Sequence, residues 1–237
     1  MSTSPSKVAK DAKNVKPCLV FELETVAFNG GQAMYEVAEA AFKAREFQLT
    51  PEIFIRFNLS HPTPRVLQHM ATAMAINANN IEAMSAEIVE QWQQKLAQTA
   101  PNLVVAKLLG DAAKQGIPLG AVTTLPEELA SGLIKALALN VEVALVKLPT
   151  AGGNSRPRQE FWAKLARQMQ VAPAQCVALV GSAITAQAAV MAGMHVVALP
   201  NAFNAFQDFG GADMVFEKPE SLPLDEIMAL TAPVIRT

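Results

Sequence analysis

Pro17-Cys18-Leu19-Val20-Phe21-Glu22-Leu23-Glu24-Thr25-Val26-Ala27-Phe28-Asn29 is the stretch on which the fold turns. A proline opens it, the apolar run Cys18 to Phe21 follows, and two carboxylates, Glu22 and Glu24, arrive as the run ends. A short apolar run between a proline and a polar break reads as a buried strand, of the kind found in parallel sheets covered on both faces. The spacing of the two acids projects them on one side where the strand stops. Open α/β sheets hold their ligands just beyond the carboxyl ends of their strands. Taken alone, the segment is read equally well as a strand followed by an acidic loop.

The chain beyond Asn29 turns helical. Gln32 to Phe47 is rich in Ala and Glu, with Met34, Val37, Ala41 and Ala44 at helical spacing. Thr50-Pro51-Glu52 reads as a capped restart, because proline is tolerated at the first helical position. A third helix follows Pro64, with Val66, Leu67, Met70 and Met74 along it. A fourth runs from Asn80 to Ala97 and aligns Ile81, Met84, Ile88, Trp92 and Leu96 in one stripe. Consecutive helices without a strand between them make a small bundle inserted into something else.

From Leu103 onward helices and strands alternate. Helices are expected over Leu103–Gln115, Pro126–Ala138, Gln159–Gln170 (Phe161, Leu165 and Met169 on one face) and Ile184–Ala192. Strands are expected over Ile117–Thr123, Val141–Val146, Cys176–Val180, His195–Leu199 and Asp213–Phe216. Alternation of this kind implies a parallel sheet with helices on both faces. The expected architecture is therefore α/β: a doubly wound, Rossmann-like sheet carrying an inserted helical cap. Residues 17–29 and 101–237 would form the core and residues 30–100 the cap. Residues 1–16 hold Lys7, Lys10, Lys13 and Lys16 but no apolar segment, and read as a flexible tail rather than a secretory signal.

Composition narrows the partners. Hydrophobic residues make up 51% of the chain and charged residues 17%, enough for a large core. With a formal charge of −2 and scattered positive residues, neither nucleic acid nor an anionic membrane surface is an expected partner. No apolar stretch reaches the roughly 18 to 20 residues that span a bilayer. Cys18 and Cys176 both lie in apolar runs, where reduced, buried thiols suit a cytoplasmic location.

Four stretches, taken in order, carry a resemblance. They are Glu22-Leu23-Glu24-Thr25-Val26 at the end of the first strand, and Gly120-Ala121-Val122-Thr123 at the end of another. Then come Arg156-Pro157 ahead of a helix, and VALVG (177–181) followed by AQAAVMAGM (186–194) and HVVAL (195–199). The chain in this respect resembles the haloacid dehalogenase (HAD) superfamily, in particular its phosphoglycolate phosphatase and β-phosphoglucomutase branch. The resemblance runs from about residue 17 to residue 230 and implies a doubly wound core with a helical cap inserted after the first strand.

The same resemblance implies a chemistry. In the family, the first acid of an Asp-x-Asp-Gly-Thr motif attacks phosphorus and the second shuttles the proton; Glu22 and Glu24 stand at these positions. A Thr and a Lys grip the phosphoryl group; Thr123, with Thr124 beside it, and Arg156 occupy those places. Mg²⁺ is held by the first Asp and by an acid after a later strand, but Val180, Gly181 and Ser182 stand there instead. Glu22 also adds a methylene, about 1.5 Å of reach, and a displacement of about 1 Å can cost on the order of 100-fold in rate. Without the cation, each acid at about 4 Å would repel a phosphate charge by roughly 4 kcal/mol at an effective dielectric near 20. Gly181-Ser182-Ala183 opens a helix whose amides favour an anion, which makes Ser182 a further phosphate-binding candidate.

The framework thus matches better than the chemistry. The resulting expectation is a phosphatase-like hydrolase fold acting as a pseudoenzyme, with a partial anion site that binds a small phosphorylated metabolite, or with a protein partner. One alternative is an active Mg²⁺-dependent phosphomonoester hydrolase, with Glu22 as nucleophile and Glu24 as acid/base. Another is a purely structural protein. No metal or cofactor is expected unless the site is active, in which case Mg²⁺ is. His61 is expected in an exposed cap loop, while His69 and His195 are expected to be structural. No G-x-G-x-x-G or G-x-S-x-G pattern is present.

Overall fold

The computed structural model describes residues 16–60, 63–76, 80–148 and 158–232. Six parallel strands form one sheet: β1 (Cys18–Glu22), β2 (Leu119–Thr123), β3 (Val143–Lys147), β4 (Cys176–Val180), β5 (His195–Ala198) and β6 (Met214–Val215). Their order is β3-β2-β1-β4-β5-β6, the doubly wound arrangement. All five residues of β1, of β2 and of β4 are buried, as strands covered on both faces require. Chain order reverses between β1 and β4, and at that switch point a crevice opens beyond the strand ends.

Helices α1 (Gly30–Lys43), α2 (Pro51–Arg56), α3 (Pro64–Ala73) and α4 (Ile81–Leu96) follow β1 without a strand between them. Met34, Phe42, Phe54, Leu59, Met70 and Ile88 form their shared core. Thr50 and Thr63 cap α2 and α3, accepting from the amides of Ile53 and Val66, and each helix has proline in its first turn. The buried stripe of α1 closes on Phe42; Ala44, expected on it, is exposed. The two chain crossings between this bundle and the sheet are tied together. The Asn102 amide donates to the Ala27 carbonyl at 2.8 Å, and its side chain donates to Asn29 Oδ1 at 3.0 Å.

The remaining helices, α5 (Leu103–Lys114), α6 (Glu127–Ala136), α7 (Gln159–Gln168) and α8 (Ala183–Met191), alternate with strands and cover the sheet. Gly120 in β2 sets how closely α7 can lie: a Cβ there would stand 2.6 Å from Met169 Sδ and 3.0 Å from a Leu165 methyl. On α7 the buried face is Trp162, Leu165 and Ala166, while the expected Phe161 and Met169 are half-buried, because Trp162 fills the space beneath the sheet.

β2 begins at Leu119 rather than Ile117. Gly116 adopts a left-handed φ of +69° and the Ile117 amide bonds back to Ala112, so the end of α5 consumes those residues. Gly193, with φ of +81°, ends α8 in the same manner. A final helix, α9 (Leu224–Ala229), was not anticipated; its short length leaves little periodicity to read, yet Leu224 and Ile227 reach the core.

Cys18 and Cys176 face each other across β1 and β4, both buried and unbridged, with 3.0 Å between sulfurs. The Cys176 thiol, together with burial, pushes the Cys18 thiol far above its ordinary range. Among the described residues no helix is long and apolar enough to cross a membrane.

Candidate functional site

At the switch point β1, β2 and β4 end beneath the helical bundle, and a cleft of about 430 Å³ lies between them. Glu22 is the last residue of β1, and the chain then winds through a π-helical turn, Leu23–Ala27. Both acids therefore line the cleft, Glu22 from strand geometry and Glu24 from the turn that follows. Both are buried.

Each carboxylate is held by the chain itself. Glu22 Oε2 accepts from the Gly181 amide at 2.8 Å and from the Thr25 hydroxyl at 2.8 Å. Burial pushes the Glu22 carboxyl up to about 7, against the lowering effect of the Gly181 amide and the Thr25 hydroxyl. Glu24 Oε1 accepts from the Thr124 amide at 2.7 Å and the Thr124 hydroxyl at 2.6 Å, and its Oε2 accepts from the Thr123 hydroxyl at 2.8 Å. Thr123 and Thr124, named by sequence as phosphate ligands, are thus brought to the site, but their donors converge on Glu24. The added methylene lets this carboxylate lie where an incoming anion would seek those hydrogen bonds.

Ser182 also reaches the cleft, as the N-cap of α8. Its hydroxyl accepts from the Thr185 amide, and Thr185 Oγ1 accepts from the Ser182 amide, closing a capping box. Gly181 N donates to Glu22, and Ala183 N donates at 2.9 Å to Gln207 Oε1. The amides of Gly181, Ser182, Ala183 and Thr185 therefore have partners within the chain. Arg156 and His61 lie outside the described residues. His69 stands on α3, edge-on to the Phe57 ring, and His195 Nδ1 is 3.4 Å from Asp213 at the start of β5, so neither faces the cleft.

Among the described residues, the Mg²⁺ that the resemblance implies finds no matching donor set. A hard divalent cation demands about six oxygens in octahedral array. Among the described residues no third His, Cys, Asp or Glu joins the two glutamates in a metal-binding group. The first glutamate spends an oxygen on Gly181 and Thr25. Gly181 and Ser182 offer no carboxylate where the fourth stretch would supply one.

Residues beyond the quoted motifs complete the site. The loop after β5 closes one side: Phe203 packs on Tyr35 and Phe54 of the bundle, with ring centroids 5.1 and 5.0 Å apart. Asn204 in the same loop donates to the Gly181 carbonyl. Trp92 of α4 donates from Nε1 to the Gly30 carbonyl at 3.0 Å and lines the cleft beside Met34, Ile55 and Val89. The sequence held a signal for the loop: Pro200-Asn201-Ala202-Phe203-Asn204 follows the carboxyl end of a parallel strand, where ligand-facing loops belong. A more open depression of about 540 Å³ between α5 and α9 lies away from the switch point; there Asp111 pairs with Lys107 and Lys114.

Comparison with known proteins places this geometry. No protein-family model matches the chain. A CBBY-like protein of Arabidopsis thaliana is 29% identical over 128 residues, which are 53% of this chain and 39% of that protein, so the matched region spans well under half of the relative. A HAD hydrolase, family IA, variant 3 from Entamoeba histolytica superposes with a TM-score of 0.70 at 12% identity, covering 91% of this chain and 99% of that one. CbbY from Rhodobacter sphaeroides, solved in complex with phosphate, superposes at 0.66 with 16% identity, covering 85% of this chain and 94% of that one. These superpositions show that the six-stranded parallel sheet with its flanking helices has the fold seen in HAD hydrolases and in CbbY.

Proposed function

We propose that this chain is a HAD-like protein that no longer transfers phosphoryl groups and acts by binding a small molecule in its cleft. One observation carries the reading: the Glu24 carboxylate already takes the donors of Thr123 and Thr124. Phosphoryl transfer relies on positioning and charge neutralisation. Here the Thr123 and Thr124 donors that would contact a phosphate are spent on a carboxylate, and among the described residues the donor set does not suit Mg²⁺.

A phosphorylated metabolite would have to displace Glu24 and lie against Glu22, so any residual anion site is weak. The cleft itself stays open and is bounded by the bundle, which supports ligand binding as its remaining role. The unbridged Cys18–Cys176 pair suits the reducing cytoplasm.

The test is turnover of a panel of phosphomonoesters by the purified protein, with and without Mg²⁺. The expected result is no Mg²⁺-dependent release of phosphate above background. Mg²⁺-dependent release that disappears in Glu22→Gln would establish the hydrolase instead.

A further inference from the structure

We infer that the ligand of this cleft is an uncharged molecule with a mainly apolar body and a hydrogen-bond donor at one end, which deepens the binding reading above. The two ends of the cavity ask for different chemistry. At the sheet end lie the acceptors Glu22 and Glu24; toward the bundle lie Met34, Phe54, Ile55, Val89 and Trp92. Among the described lining residues there is no Lys, Arg or His, and the polar groups other than the two glutamates are all neutral, such as Asn58, Thr63 and Asn201.

An anion meets two buried acids and finds the Thr123 and Thr124 donors already engaged. A cation fares little better. Glu24 is satisfied by three hydrogen bonds, and an ammonium would have to shed its water in passing the apolar wall to reach Glu22. A hydroxyl, amide or other neutral donor can bond a carboxylate oxygen without that cost, while its apolar body covers the wall.

Size and surface agree with this assignment. A cavity of about 430 Å³ falls at the lower end of the 300–1,000 Å³ typical of small-molecule pockets. At its mouth Ile184 is 42% and Phe206 66% exposed, both lining the cleft, so large apolar side chains stand uncovered where such a body would rest.

A series with one body and three headgroups tests the assignment: 1-naphthalenemethanol, 1-naphthylmethylamine and 1-naphthyl phosphate. Binding is followed by quenching of Trp92 fluorescence, with Trp92→Phe as the control that removes the signal. The alcohol is expected to bind at least tenfold tighter than the phosphate and tighter than the protonated amine. Tightest binding by the phosphate or by the amine overturns the inference, as does no binding by any of the three.

Two variants locate the site. Phe206→Ala, at an exposed position, is expected to weaken the alcohol severalfold with an unchanged melting temperature. Ile55→Glu, which places a charge on the apolar wall, is expected to weaken it more than tenfold. Unchanged affinity in both overturns the placement. Release of 1-naphthol from the phosphate overturns the non-hydrolytic reading, and the ranking of the three headgroups judges the ligand class separately.

Discussion

At the sheet end of the cleft the polar groups face one another: Glu22 with Gly181 and Thr25, Glu24 with Thr123 and Thr124, Ser182 with Thr185. At the bundle end the surface is apolar and open, formed by Met34, Ile55, Val89 and Trp92, with Phe206 at the mouth. A phosphatase of this fold needs the opposite arrangement at its sheet end, with donors and cation-binding oxygens left free for the substrate. On the proposed reading, two small departures from the resembled family close this floor. Glu24, one methylene longer than the Asp of the resembled family, lays its carboxylate on the Thr123 and Thr124 donors, and among the described residues no third acid joins the pair near Ser182. The bundle is untouched by either change and keeps its cavity.

The strongest way to break this contrast is through Glu22. The unfolded chain releases the Glu22 proton near 4.5 and the folded protein near 7, so between these values the folded state binds more protons. Stability therefore falls as pH rises through this window, and the loss is complete above about 7. The shift corresponds to a pH-dependent loss on the order of 3 kcal/mol. Glu22→Gln should flatten the dependence and make the protein more stable than the parent at pH 8, as urea unfolding at pH 4.5 and 8 would reveal. Equal slopes in parent and variant would mean that the floor does not hold a strained carboxylate.

Gly30, where floor meets roof, comes next. A Cβ there would stand 2.5 Å from the Glu24 carbonyl oxygen, which is backbone and cannot swing aside. Gly30→Ala should cost about 1–3 kcal/mol, the range for overpacking, in the same unfolding assay. A smaller cost belongs to Ser182→Ala, which opens the capping box of α8 and should lose about 1 kcal/mol of stability. Least of all, Phe206→Ala should shift stability by no more than about 0.5 kcal/mol, because the side chain is exposed. Its effect should be felt in ligand binding alone, and that separation of stability from binding is the sharpest expression of a closed floor beneath an open roof.

Much of the framework was legible because its causes are local. The cap at Thr50, the stripe of α4 and the apolar runs of β1 and β4 depend on neighbours within a turn or a strand. The shift of the buried face of α7 to Trp162 was hidden, since it reflects the space that the sheet leaves beneath it. Of the candidate site residues described here, all five line the cleft or bond to a residue that does, yet their partners were not readable. Phe203 and Gln207 were missed because their role comes from a loop folding back across the strand ends.

Hydrophobic periodicity, helix caps and the placement of acids at the end of an apolar strand suffice to specify a doubly wound sheet with a helical insertion, because each arises from interactions between residues close in the chain. What Glu24 does is another matter. Its donors lie 99 and 100 residues away, and they meet it only because β1 and β2 pair in parallel and end at the same level. Reach, angle and the convergence of three donors on one carboxylate are properties of three-dimensional approach, and no linear pattern of residues encodes them.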